Sequence, residues 1–312
     1  MINFKKIACV SIVLTFAWPA VAGDLETVHQ KQWIHGSKDC KTNKDPLIDV
    51  LEYDADTFIL RQNKCTNFEA PFIYVFFGKH TVFVQDTGAT EDAESFPLYE
   101  KIQALISTRP PLENGEALKI LVTHSHGHGD HTAADAQFRG KENVTLVEPD
   151  TKSVIDFFKF RNWPDGEKKI DLGERVLIAF PIPGHQEASV AVYDPRTKWL
   201  LSGDSFYPGR LYVKDWNSFR SSIQRMLDFT KTHEVEAVLG THIEMTKVPG
   251  IGYPVGTDYQ PEEASLILVP DDLEDVNQAL ITQGNKAKEL VLNKLIIRPL
   301  NWLERFLSNV LG

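Results

Sequence analysis

From residue 57 onward the apolar positions fall into short alternating runs separated by longer stretches with helical spacing. Residues 57–61, 71–77 and 81–85 are rich in Phe, Ile, Val and Tyr and read as strands, with Gly78-Lys79 as a hairpin turn between the second and third. Residues 95–107 place Leu98, Ile102, Leu105 and Ile106 on one face of a helix, which Arg109-Pro110-Pro111 ends. Further strands are predicted over 118–122, 144–147, 175–182, 189–193, 199–202 and 235–239, and helices over 151–159 and 216–229. Residues 23–56 are polar and weakly periodic and read as an N-terminal extension. Residues 272–297 predict a largely helical stretch with Gly284 as its weak point, broken by Pro299. A last amphipathic segment, 300–311, gathers Trp302, Leu303, Phe306, Leu307 and Val310 on one face. Strands and helices alternating around two apolar layers predict sheets covered by helices. Periodicity alone does not separate that arrangement from a doubly wound sheet.

Composition narrows the class. A chain of 312 residues, 42% hydrophobic and 10% aromatic, can bury a sizeable core as one large domain or two small ones. Lys5 and Lys6, the mostly apolar run 7–18 and Ala20-Val21-Ala22 have the charge, length and small-x-small ending of an export signal over 1–22. The run is short of the roughly 20 residues a membrane span requires. The expected location is therefore the periplasm or beyond. Cleavage before Gly23 removes two lysines and no acid, taking the formal charge from −10 to −12. Such a surface argues against nucleic-acid binding. Cys9 leaves with the signal, so Cys40 and Cys65 remain as a disulfide candidate, or as two separate buried thiols.

The chemistry concentrates between Thr123 and Thr132, which read Thr-His-Ser-His-Gly-His-Gly-Asp-His-Thr after an apolar strand. Imidazole and carboxylate are natural ligands for zinc and similar divalent ions. Residues two apart in a tight turn can point one way, so His126 and His128 can hold one metal, and Asp130 and His131 can reach a second. Gly127 and Gly129 are expected to supply the backbone torsions of that turn. Downstream, His185 in Pro-Gly-His-Gln, Asp204 in Ser-Gly-Asp-Ser and His242 in Gly-Thr-His-Ile each end an apolar run. Asp86 in Asp-Thr-Gly closes the strand 81–85 and reads as a turn or supporting residue. His29, His35, His80 and His233 have no such partners in sequence.

His-x-His-x-Asp-His followed by separate His, Asp and His resembles the metallo-β-lactamase-fold hydrolase superfamily, over about residues 57–245 and at all seven two-metal positions. The resemblance implies an α/β fold, an αβ/βα four-layer sandwich with the metals at one sheet edge. It makes 57–248 the catalytic domain and 249–312 a lip and helices packed on it, with 249–263 as the lip. By matching position, His126, His128 and His185 hold the first metal, Asp130, His131 and His242 the second, and Asp204 bridges them. Two divalent ions, with Zn2+ the expected metal, then sit ~3.5–4 Å apart with a nucleophilic hydroxide between them. Asp130 is also a candidate to orient that hydroxide or carry a proton. Tyr207 either reaches an oxyanion, as a tyrosine does in some lactonases of the superfamily, or packs in its loop. His124 matches no ligand position and reads as a supporting or packing residue.

Substrate follows less directly. The best-known antibiotic-hydrolysing members carry Cys or Ser where this chain has Asp204, and the chain lacks the basic C-terminal segment with which glyoxalase II holds glutathione. The function implied is an exported binuclear hydrolase of a small-molecule ester, lactone, thioester or phosphoester. The alternatives are a β-lactamase-type amide hydrolase, an iron-dependent redox member such as a persulfide dioxygenase, and a non-catalytic metal binder. The terminal amphipathic segment suits either a membrane surface or, as the blander reading, docking on the domain or on a homodimer partner.

Overall fold

Alternate side chains of Phe72–Phe77 enter different cores: Phe72, Tyr74 and Phe76 pack on one side, Ile73, Val75 and Phe77 on the other. A strand buried on both faces must lie between two other layers. The computed structural model describes residues 23–113 and 115–305, so the export signal expected over 1–22 lies outside the described residues.

The first sheet contains β1 (Ile48–Asp54), β2 (Thr57–Gln62), β3 (Phe72–Phe77), β4 (Thr81–Gln85), β5 (Lys119–Thr123) and β6 (Val144–Leu146), side by side in chain order. Pairing is antiparallel through β4, then parallel to β5 and β6. The remaining strands are β7 (Lys168–Asp171), β8 (Val176–Pro181), β9 (Val190–Asp194), β10 (Trp199–Gly203), β11 (Arg210–Val213), β12 (Ala237–Gly240), β13 (Ile267–Leu268), β14 (Leu290–Val291) and β15 (Ile296–Pro299). The second sheet runs β13-β12-β10-β9-β8-β7, with β10 and β12 parallel, and a small third sheet runs β11-β15-β14. Helices are α1 (Leu25–Gln30), α2 (Leu98–Ser107), α3 (Gly129–Thr132), α4 (Asp135–Phe138), α5 (Thr151–Phe158), α6 (Trp216–Thr232) and α7 (Pro270–Gln283).

The middle core joins Phe76 and Phe83 of the first sheet to Leu177, Val192, Trp199 and Leu239 of the second. Leu98 and Ile102 of α2 and Phe138 of α4 cover the outer face of the first sheet. Phe219, Ile223 and Met226 of α6 and Leu273 and Val276 of α7 cover the second. Helix, sheet, sheet, helix is the expected αβ/βα sandwich. Each buried Phe or Leu contributes about 1.5–3 kcal/mol, and Phe76→Ala, in the middle layer, should cost about 3–5 kcal/mol. At the end of the sandwich away from the metal loops, buried Arg175 donates to Asp194 at 2.5 Å, to the Asp56 carbonyl at 2.7 Å and to Thr57 at 3.0 Å, locking the sheets in register.

Several elements differ from their sequence reading. Residues 23–56 hold α1 and β1, and β1 pairs with β2 as the first sheet's edge. Asp49, Glu52 and Asp54 had disguised its alternation. The extension is tied down by the expected Cys40–Cys65 disulfide. Helix α2 begins at Leu98, three residues late, because Pro97 occupies the N-cap. The long C-terminal helix stops at Gly284, which takes φ +69°, and 285–297 is not helical. Beyond it β14 and β15 pair with each other, and β15 lies parallel to β11. Of the final amphipathic segment, Trp302 and Leu303 are described and exposed, whereas Phe306, Leu307 and Val310 lie outside the described residues. Among the described residues no helix is long and apolar enough to cross a membrane.

Candidate metal centre

The carboxyl ends of β4, β5, β10 and β12 converge at one edge of the sandwich, and the residues that follow them form the site. Strand β5 delivers the loop bearing His124 to His128, and α3 turns directly out of it, with Asp130 in its first turn and His131 in its last. Strand β10 delivers Asp204 and β12 delivers His242. The connection from β8 to β9 supplies His185. Two glycines permit the approach. Gly203 has φ +53°, and a Cβ there would stand 2.6 Å from the Ser125 side chain. Gly184, at φ +140°, lies 2.4 Å by the same measure from the α6 backbone. Gly127 and Gly129 do not play the expected part, since neither has positive φ. Gly127 instead gives room, because a Cβ would meet the Pro149 carbonyl at 3.0 Å.

All seven predicted ligands meet, as two groups. His126 Nε2, His128 Nδ1 and His185 Nε2 form a triangle with sides of 3.0, 3.1 and 3.1 Å. Asp130 Oδ2 lies 3.2 Å from His131 Nε2 and 3.3 Å from His242 Nε2. Asp204 stands between: Oδ2 is 3.7 Å from His185, 3.9 Å from His126 and 3.6 Å from His131, while Oδ1 is 3.5 Å from His242. Thr241 donates a short hydrogen bond to that Oδ1.

The surrounding hydrogen bonds decide whether a cation fits. His185 Nδ1 donates to the Tyr212 carbonyl at 2.7 Å, which leaves its Nε2 a bare lone pair. Ser125 Oγ donates to Asp86 at 2.9 Å and so accepts from His126 Nδ1 at 3.1 Å, leaving that Nε2 bare as well. Two bare nitrogens 3.1 Å apart repel each other unless a positive ion sits among them. Nitrogens about 2.0–2.1 Å from a tetrahedral ion would lie about 3.3 Å apart, so the triangle is close to the size required. In the second group His131 Nδ1 donates to Asp86 at 3.1 Å and His242 Nδ1 to the Glu69 carbonyl at 3.0 Å. Holding the far nitrogen in this way fixes tautomer and ring orientation for metal binding.

Electrostatics separates the groups. Burial pushes His126 well below the usual imidazole range, and positive charge on the neighbouring His131 and His185 rings would push the same way. Burial and His185 bring His128 down to about 4, and burial lowers His185 against the pull of Asp204. Burial also disfavours charge on His131 and His242, but nearby carboxylates outweigh it. Asp130, Asp204 and Asp86 raise His131 well above its ordinary value, and Asp204 with Asp130 raises His242 to about 9. Asp130 and Asp204 are held ionised despite burial, Asp130 by His131 and His242, Asp204 first by His242 and then His131.

The supporting residues fall as follows. His124 is buried and bonds the Val147 carbonyl at 3.0 Å and Asp135 at 2.9 Å, apart from both groups. Asp86 accepts from Ser125 N at 2.6 Å as well as from Ser125 Oγ and His131, so one buried carboxylate orients a ligand in each group. Tyr207 lines the same cavity as the ligands, with its hydroxyl engaged inside its own loop. Its hydroxyl donates to the Arg210 carbonyl at 2.6 Å beside Glu244 at 3.2 Å, and its ring faces His242 at 5.7 Å. The carbonyls of Glu69 and Tyr212 were missed from sequence because every residue has one. A cavity of about 520 Å³ opens onto the ligands, bordered also by Val255, Arg298, Leu300 and Glu304.

Comparison with known proteins agrees with this geometry. Acyl-coenzyme A thioesterase MBLAC2 of Homo sapiens is 25% identical over 206 residues, spanning 54% of this chain and 72% of the relative. Hydroxyacylglutathione hydrolase of Rhizobium meliloti (strain 1021) is 26% identical over 125 residues, 38% of this chain and 48% of the relative. A metallo-beta-lactamase from Pontibacter korlensis superposes with TM-score 0.50 at 17% identity, covering 76% of this chain and 100% of its own. TMB-1 gives 0.51 at 17%, covering 77% and 100%. At that identity the two structures establish the fold alone. The sequence profile of the metallo-beta-lactamase superfamily matches residues 66–242, more than half of the chain. With the fold and the histidine–aspartate cluster beside that match, the chain belongs to the metallo-beta-lactamase superfamily of metal-dependent hydrolases.

Proposed function

We propose that the protein is an exported hydrolase that uses two divalent ions, Zn2+ first among them, to cleave a small ester-type substrate, with thioesters the foremost class. The observation that carries this is Asp204, whose carboxylate lies within 3.9 Å of ligand nitrogens in both groups. The thioester preference is supported by the two relatives named for acyl-coenzyme A thioesterase and hydroxyacylglutathione hydrolase activity. Export is supported by the signal pattern over 1–22 and by the disulfide, which belongs to an oxidising compartment.

Bound there, two such ions would ionise a water near neutral pH and polarise the scissile carbonyl. The chain's own groups do the rest. Ser125 and the Tyr212 carbonyl hold the far nitrogens of His126 and His185, Asp86 and the Glu69 carbonyl hold those of His131 and His242, and each of these rings so turns its Nε2 inward, while His128 presents its Nδ1. Asp130 and Asp204 offset cationic charge, and Asp130, at the cavity wall, is the carboxylate placed to take a proton and pass it to the leaving group. Tyr207 is not assigned a catalytic proton, since its hydroxyl is engaged with Arg210.

The test is metal counting by mass spectrometry on the mature chain, followed by thioester, lactone, phosphodiester and β-lactam substrates. Two ions per chain and chelator-sensitive thioester cleavage are expected. One ion in protein never exposed to chelator, or β-lactam cleavage far faster than every other class, would overturn the reading.

A further inference from the structure

Arg298 is the one guanidinium or ammonium group that borders the metal cavity among the described residues. It sits on β15 directly opposite Tyr212 of β11. Its guanidinium lies over the Tyr212 ring at 5.1 Å, and the carbonyl of that same residue fixes His185. Arg298 and the first ligand group are thus held by one residue, in a fixed relation to each other. Arg298 Nη2 donates to Glu304 Oε1 at 2.5 Å, and the other Glu304 oxygen accepts from Asn301 N at 2.9 Å. The two side chains are about a third exposed, 35% and 31%, so solvent screens the pair and it is worth little. A guanidinium has five donors in a planar fork that matches carboxylate or phosphate. Of the carboxylates on the same cavity, Glu244 is engaged with Arg210 N at 2.7 Å and with Tyr207, and Asp130 and Asp204 belong to the ligand groups. Glu69, the remaining one, lies beside His242, whose ring its carbonyl holds.

We propose that Arg298 anchors an anionic group, carboxylate or phosphate, on the part of the substrate remote from the scissile bond, and that Glu304 is an internal stand-in exchanged for it on binding. This rests on the hydrolase reading and names the substrate class for the same site. Arg298 is a specificity residue here and takes no part in bond breaking. Exchange of one carboxylate for another conserves charge at Arg298, and a bidentate anion would engage more of the fork than the single bond to Glu304.

The test uses the metal-loaded full chain and three acetyl thioesters, of 2-mercaptoethanol (neutral), 3-mercaptopropionate (carboxylate) and 2-mercaptoethyl phosphate. Arg298→Gln should raise KM about tenfold or more for one or both anionic esters, as loss of a charged hydrogen bond does. The neutral ester's KM and every kcat should stay within about twofold, and Arg298→Lys should recover part of the loss. Glu304→Gln should lower KM for the anionic esters only. Whichever anion responds identifies the group bound. An equal change for neutral and anionic esters, or none, overturns the proposal. If no thioester is cleaved at all, the thioester preference of the proposed function fails instead. The Arg298 assignment is then decided by calorimetric binding of 3-(methylthio)propionate, expected to weaken about tenfold in Arg298→Gln; unchanged binding overturns it.

Discussion

The two ligand groups share one wall of the fold and have one aspartate, Asp204, standing between them, yet they solve the problem of convergent polar atoms in opposite ways. The first, His126, His128 and His185, contains no carboxylate of its own, and its imidazoles are driven toward the neutral form, His128 to about 4. The second, Asp130, His131 and His242, pairs imidazoles with carboxylates and holds protons, His242 up to about 9. Without a cation the second group can neutralise itself with protons, whereas the first is left with lone pairs facing one another. The first is therefore a site preformed for metal, and the second is one for which protons and metal compete.

The largest expected effect comes from dismantling either group. His185→Ala and His131→Ala should each lower the metal count from two toward one. Each should cost more activity than the roughly 10–100-fold typical of a residue that only orients a ligand. The comparison sharpens if His131→Ala keeps its remaining ion to lower pH than His185→Ala does. It breaks if both lose both ions together, since the groups would then be a single cooperative unit.

Asp86→Asn comes next. Asp86 accepts a hydrogen bond from His131 Nδ1 directly and reaches His126 only through Ser125. The substitution should lower affinity for the second ion about 10–100-fold and for the first by less. Equal losses in a metal-buffered titration would mean the Ser125 relay carries as much as the direct bond.

The contrast also has a pH signature. His131 and His242 are raised in the folded, metal-free protein, so near neutral pH they carry protons that an incoming ion must displace. Affinity at the second group should fall as pH drops from about 9, the value for His242. The first group should hold its affinity down to about 5, one unit above His128. Calorimetric metal titration in buffers of different ionisation enthalpy should show at least one proton released with the second ion and little with the first. In the metal-free protein the same shift adds stability below the ordinary imidazole value, about 6.5, and that stability is lost as pH rises through about 9.

A change remote from both groups tests whether the contrast is local. Cys40→Ser removes a bridge across 25 positions and should lower stability by about 3 kcal/mol. The metal count should stay at two. Loss of an ion would mean that the N-terminal segment supports the site as well as the sheet.

The first ligand group and its partners were legible because side chains carry the information: the four histidines and the aspartate of 124–131, then His185, Asp204 and His242, each end an apolar run. The strands feeding them were legible for the same reason, being buried on both faces. What was not legible depends on backbone atoms or on distant pairing. The Tyr212 and Glu69 carbonyls that fix His185 and His242 belong to no residue type. Strand β1 hides behind its acids, and β14 and β15 follow a helix whose apolar spacing continues past Gly284. Missing β15 meant missing Arg298, which enters the cavity only because β15 lies beside β11.

Tyr207 gives the smallest expected effect and the finest test of the contrast. Placed three residues after Asp204 and buried against His242, it is where an additional donor to the second group would stand. Its single proton, however, goes to the Arg210 carbonyl at 2.6 Å, and burial with Glu244 alongside raises it well above the usual phenol range. A phenol so engaged cannot also donate into the cleft without giving up a buried acceptor, which costs about 1–3 kcal/mol. Tyr207→Phe keeps the ring beside His242 and should therefore lower kcat less than about tenfold, far below the 10²–10³ expected on loss of an oxyanion donor. Stability should fall by about 1 kcal/mol as the Arg210 carbonyl loses its partner. A kcat loss of 10² or more with KM unchanged would show that the hydroxyl turns into the cleft during the reaction, and the second group would then supply a proton donor as well as a cation site.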